Sequence, residues 1–251
     1  MRKGAPRQPG RPWTAITRGA GMAVCLWLTS PVAAVAQEAV SARYEGAVTR
    51  YPHGVLGDEV EYDTLAVTLS DGRVLRRRWN APLVFEDVAP RLWDVTGDGL
   101  PEIVTVESHE TRGARLAVWS VAGGSLDPLA ATPFIGQRFR WLAPVGAADL
   151  DGDGAIEIAY VDRPHLAKTL RVWRFVDGAL HEVAAATDYS NHRIGWDYIA
   201  GGLRTCGARP EMILASGDWT RIVAVTFDGT FAARDLGAYG ADRMAATMAC
   251  R

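Results

Sequence analysis

Residues 147–161 read AADLDGDGAIEIAYV, and residues 91–106 read RLWDVTGDGLPEIVTV. The two stretches align on Glu102 and Glu157, and a third, LRTCGARPEMILA at 203–215, places Glu211 nearly the same interval further on. Self-similarity at a fixed period, here roughly 54 residues, is the mark of a repeat architecture, in which one supersecondary unit recurs and neighbouring units bury each other's faces. Between the copies lie hairpin-like pairs: TLAVTLSDGRVLRRRW from 64, RLAVWSVAGGSLDPLAA from 115, TLRVWRFVDGALHEVAAA from 169 and RIVAVTFDGTFAARDL from 221. Each alternates apolar and polar residues about a glycine, at Gly72, Gly124, Gly178 and Gly229, and three of these follow an aspartate, the Asp-Gly signal of a tight hairpin.

Further matches tie the second and third units together: Ala131-Thr132 with Ala186-Thr187, Trp119 with Trp173, Trp141 with Trp196, and Gly146 with Gly201. No segment after residue 36 shows a sustained helical period or a capped helix, so the pattern predicts an all-β fold with about four antiparallel strands per unit. Four-stranded modules repeated radially make a β-propeller, and the length predicts a small one of four blades. The stretch GADRMAATMAC at 240–250 resembles a shortened GWDYIAGGLRTC at 195–206, an innermost strand, so the C-terminal segment is expected to complete the first blade.

From Met1 to Arg18 the chain carries Arg2, Lys3, Arg7, Arg11 and Arg18 with no acid, and an uncharged stretch follows from Gly19 to Ala36, ending in Ala34-Val35-Ala36. This is the pattern of a cleaved secretory signal over residues 1–36, with one domain over 37–251. A membrane anchor is the alternative, but the apolar part, from about Met22, falls short of the roughly 20 residues a spanning helix needs. Without the leader, 22 lysines and arginines face 29 acids, which gives no positive field for nucleic acid and leaves no integral membrane segment. The expected location is periplasmic or extracellular. Two cysteines remain there, Cys206 and Cys250, and in an oxidising compartment an even count predicts a disulfide; two separate buried thiols are the alternative.

The acidic stretches carry the chemistry. Asp149, Asp151, Asp153 and Glu157 stand at positions 1, 3, 5 and 9 of a loop, with the carbonyl of Ala155 available at 7, a spacing that wraps hard oxygens about one calcium ion. The earlier loop offers Asp94, Thr96, Asp98, the carbonyl of Leu100, and Glu102, with one charge fewer. An Asp-Gly turn held by its own hydrogen bonds is the alternative for both. The third copy carries Arg204, Cys206 and Arg209 in place of ligands, which predicts no ion and a disulfide as its clamp.

These residues resemble the calcium loop and following strand of FG-GAP or VCBS repeats, the units of integrin-type β-propellers. The resemblance implies calcium on the rim of the fold at Asp94, Asp98, Glu102, Asp149, Asp151, Asp153 and Glu157. The Phe-Gly and Gly-Ala-Pro pieces that name the repeat survive as Phe134-Ile135-Gly136 and Ala143-Pro144, and integrin-type propellers have seven blades where this chain supplies about four. The family is associated chiefly with ligand binding and adhesion, so the resemblance implies a protein- or glycan-binding module for recognition or assembly.

The case for catalysis is thinner. The five histidines show no metal spacing, and neither a G-x-S-x-G elbow nor a phosphate-cradling glycine loop occurs. A hydrolase or lyase acting on an extracellular polysaccharide is the alternative function, with His192 and Asp197 as candidate acid and base. Asn191-His192-Arg193 with Trp196-Asp197-Tyr198 parallels Gln137-Arg138-Phe139-Arg140-Trp141 one unit earlier, and repeat-equivalent loops of this kind gather on one face.

Overall fold

The computed structural model describes residues 37–251, together with Met1, Gly4 and Gly10; apart from those three positions the expected leader lies outside the described residues. Short strands joined by glycine turns make up three antiparallel sheets. The first contains β1 (Ala39–Val48), β2 (Glu61–Leu69), β3 (Val74–Arg78), β4 (Leu83–Phe85), β5 (Arg91–Trp93), β6 (Glu102–His109), β7 (Gly113–Ser120) and β8 (Asp127–Ala131). The second contains β9 (Leu142–Ala148), β10 (Glu157–Asp162), β11 (Thr169–Val176) and β12 (Ala179–Thr187). The third contains β13 (Tyr189–Ser190), β14 (Gly202–Arg204), β15 (Glu211–Ser216), β16 (Arg221–Phe227) and β17 (Phe231–Ala238), and a helix, α1 (Ala241–Met248), follows it.

The repeat is visible in the pairing. Each of the series β5–β8, β9–β12 and β14–β17 is a four-strand antiparallel meander, and its second strand begins on the aligned glutamate Glu102, Glu157 or Glu211. Gly124, Gly178 and Gly229 turn the last hairpin of each, and Gly72 turns the β2–β3 hairpin, all at positive φ between 75° and 91°. That backbone region is open to glycine at little cost, so the Asp-Gly signals mark the turns correctly. The leading module has three strands, β1, β2 and β3, and it joins the next through the single pair Tyr62↔Phe85.

Period-2 alternation explains the stacking. Along β6, Val104 and Val106 face the second sheet in one apolar cluster with Ile158, Tyr160, Trp141 and Trp173, while Ile103 faces the other way with Leu65, Val67, Phe85 and Trp119. Along β10, Ile158 and Tyr160 face the first sheet, whereas Ala159 and Val161 meet Met212, Leu214 and Val225 of the third. Both strands are therefore buried on both faces, and successive sheets lie face to face. This two-sided burial makes a strand such as EIAYVD apolar almost throughout.

The C-terminal segment departs from expectation. Residues 241–248 form α1 and do not add a strand to the first module. Alanine, arginine and methionine favour helix, Asp242 lies in the first turn where a negative charge complements the helix dipole, and Met244 seats against Ile213, Ile222 and Ala224 of the third sheet. The matched glycine and cysteine at 240–250 and 195–206 are thus a likeness of sequence without a likeness of structure. Cys206 and Cys250 form a disulfide, with Cα atoms 5.6 Å apart, that ties the loop after β14 to the end of α1.

Candidate functional site

The two acidic loops precede the second strand of adjacent modules and fold by the same internal bonds. In each, the first aspartate accepts two backbone N–H groups: Asp94 from Gly97 at 2.7 Å and Gly99 at 2.9 Å, and Asp149 from Gly152 at 2.6 Å and Gly154 at 3.0 Å. Asp98 and Asp153 each accept an N–H two residues on, from Leu100 and Ala155, both at 2.8 Å. The closing glutamate reaches back across the loop, with Glu102 accepting from Val95 and Thr96 and Glu157 from Leu150 at 2.9 Å. These bonds require the N–H groups to point inward, which the glycines at positive φ allow.

The loops differ in how their charge is answered. Among the described residues, only Asp149, Asp151 and Asp153 gather as a possible metal-holding group, with oxygens within 4.8 Å of one another. Asp94, Asp98 and Glu102 are not brought together in that way, and Thr96 is tied to Glu102 through its own N–H and hydroxyl. Glu157, fully buried, is turned toward Arg174, which stands directly across from it on β11. The Arg174 guanidinium contacts Glu157 Oε1 at 2.6 Å, Asp151 Oδ2 at 2.5 Å and Asp153 Oδ2 at 2.8 Å. Burial pushes Glu102 and Glu157 above the ordinary carboxylate range, opposed at Glu157 by the Leu150 N–H and by Arg174.

The donor set fits a divalent cation. Each aspartate oxygen that accepts one N–H keeps a second lone pair, and the three carboxylates converge as hard oxygen ligands do. Arg174 is the residue at this loop that the motif does not contain; the β10–β11 register, turned at residues 163–168, sets it opposite Glu157. In the third copy Glu211 is held by Arg204 at 2.8 Å and Arg234 at 2.6 Å, and although burial raises its pKa, these two partners leave it below the ordinary value.

The model of a family described as FG-GAP-like repeat matches residues 94–160. The chain carries an FG-GAP-type repeat. The FG-GAP match opens on Asp94, the first acid of the first loop, and runs through the second loop to Tyr160 on β10, so it spans one full period with an acidic loop at either end. No curated protein matches the chain.

The polar loops nominated for binding or catalysis come out unequal. Trp141 is buried and its indole N–H donates to the Glu86 carbonyl at 2.7 Å, whereas Trp196 is half-buried and stacks on Tyr198 with ring centres 4.6 Å apart. His192 is fully buried, with Nε2 2.9 Å from the Trp196 carbonyl and Nδ1 3.0 Å from His165 Nε2, so it does not reach solvent as an acid or base would. Burial, together with His192 and His53 nearby, pushes the His165 pKa down to about 4 from 6.5. Such a depressed histidine favours the neutral folded state, because between pH 4 and 6.5 the unfolded chain binds the extra proton. Stability should therefore fall as pH drops through that window, and His165→Gln should flatten the slope in urea unfolding measured at pH 7, 6 and 5.

Proposed function

We propose that this chain is an exported, calcium-stabilised β-propeller of four modules that binds a protein or glycan as a recognition or assembly unit. The observation that carries this reading is the convergence of Asp149, Asp151 and Asp153 at the loop of an FG-GAP-type repeat. Calcium would be held by those three residues, by the carbonyl of Ala155 and, once released from Arg174, by Glu157. The lesser site would use Asp94, Thr96, Asp98, the carbonyl of Leu100, and Glu102. The ion supplies charge neutralisation and fixes the corner between the first and second strands of a module. The chain's own residues do the rest: glycines wrap the loop, and face-to-face packing of β6 and β10 carries its geometry into the core.

Export is supported by the basic and apolar leader pattern and by the Cys206–Cys250 bond, since disulfides persist in oxidising compartments. Among the described residues no helix is long and apolar enough to cross a membrane. Thermal melts of residues 37–251 with EDTA or with calcium, paired with a bound-metal count, test the reading. A dissociation constant near 0.1 mM, in the range of extracellular modules, gives about 2.7 kcal/mol of stabilisation at a hundredfold excess of calcium over that constant, with one or two ions bound. An unchanged melting temperature with no bound ion would remove calcium from the proposal.

A further inference from the structure

Away from the acidic loops, a cavity of about 220 Å³ opens among the loop after β1, the segment before β9, the β10–β11 turn and the segment before β14, and His53, Phe139, Arg140, Trp141, His165 and Ile194 line it. Its polar groups are fixed by residues behind them. His53 Nδ1 lies 2.5 Å from Oε1 of Glu86, a carboxylate with no solvent exposure whose other oxygen accepts the Ser108 hydroxyl. In the neutral imidazole the Nδ1 N–H donates to that carboxylate and His53 Nε2 is an acceptor. The Phe139 ring stacks on His53 with centres 5.1 Å apart and an interplanar angle of 19°, and the Phe139 N–H donates to the buried Tyr51 hydroxyl at 2.8 Å.

The second imidazole is set by a longer chain. A carbonyl only accepts, so the bond to the Trp196 carbonyl puts the hydrogen of His192 on Nε2 and leaves its Nδ1 as an acceptor. His165 must then donate through Nε2, and its Nδ1 carries a lone pair. The two cations of the cavity wall also differ. Arg163 is spent on Asp162 through two contacts of 2.9 Å, whereas Arg140 makes no ion pair among the described residues and donates only to the neighbouring Phe139 carbonyl.

The cavity thus offers one uncompensated guanidinium, two imidazole nitrogens that accept hydrogen bonds, and aromatic walls, in a volume suited to one six-membered ring. An inorganic anion would use the arginine alone. An aliphatic acid would leave both imidazole nitrogens unpaired out of bulk water, which weakens binding. A ring bearing a carboxylate, several hydroxyls and an apolar C–H face uses every group. We propose that this cavity binds one sugar-acid residue of an acidic glycan, its carboxylate on Arg140, its hydroxyls on His53 Nε2 and His165 Nδ1, and its ring against Phe139 and Ile194. This rests on the recognition role proposed above and names its ligand class.

Titration of the calcium-saturated protein with trigalacturonate, its methyl ester and a neutral trisaccharide tests the site, read by NMR at the Trp141 indole N–H and the His53 and His165 ring nitrogens. The acid should shift all three signals. The ester should bind at least about tenfold more weakly, and Arg140→Gln should lose about tenfold for the acid with an unchanged melt. Equal binding of acid and ester, indifference to Arg140→Gln, or no shift of these signals up to about 20 mM acid would overturn it. A glycan array separates the two readings: capture of a neutral glycan without perturbing the cavity sinks this inference and spares the recognition role, whereas capture of no glycan together with silence of the cavity removes the glycan side of both.

Discussion

Cys206→Ser combined with Cys250→Ser is expected to lower the unfolding free energy by about 4 kcal/mol, seen as an earlier urea midpoint than that of the oxidised wild type. The bond spans a sequence separation of 44, so it restricts an unfolded loop that contains β15, β16, β17 and α1. Entropy lost by that loop in the unfolded chain is the larger part of the effect. The remainder is local. A helix as short as α1 is far below the length that holds alone in water, and it stays in place through Met244, through the Arg204 guanidinium on the Thr247 carbonyl, and through this bond at its end. Reduced wild type should match the double variant. A loss under about 1 kcal/mol would mean that the Met244 contact alone docks the helix and that the unfolded loop is already constrained.

How far the sequence reached depends on whether the cause of a feature is local. The period marked by Glu102, Glu157 and Glu211 gave the second strand of three modules, because each copy repeats the same loop and the same two-sided burial. The hairpin glycines gave the turns, because their positive φ is a property of the residue itself. Pairing of Cys206 with Cys250 followed from an even count. The likeness of 240–250 to 195–206 does not make a closing strand, because alanine content and the apolar seat for Met244 decide for helix. His192 looked available in a polar loop and is buried, its ring held by the Trp196 carbonyl a turn further along the same chain. Glu86, Ser108 and His53 carried no motif at all. They meet because β4 pairs with β6 and the loop after β1 folds over that pair, a contact between segments well separated along the chain.

Arg174→Met carries the sharpest expectation, because it sets the chain's own cation against a bound one. In EDTA the variant should lose about 3 kcal/mol, since Glu157 would remain buried with its arginine partner removed and Asp151 and Asp153 would repel each other unanswered. Solvent screens the contacts of Arg174 with Glu157 and Asp151 weakly, whereas Asp153, 47% exposed, is screened more. With calcium the gap should narrow. The wild-type ion must displace a guanidinium from three carboxylates, whereas in the variant it meets the same acids without a competing positive charge, so affinity should rise by about tenfold or more and calcium should restore the lost stability. The three copies form a graded series that gives this meaning. Glu102 has no arginine, and its register across β7 runs on to Ser120; Glu157 has Arg174; Glu211 has Arg204 and Arg234. Along the chain the guanidiniums facing this glutamate rise from none to one to two, and the converging aspartates stand in the middle copy. If calcium stabilises the variant but not the wild type, Arg174 has replaced the metal in the native protein; if it stabilises neither, the loop is an Asp-Gly turn held by its own N–H groups and one guanidinium.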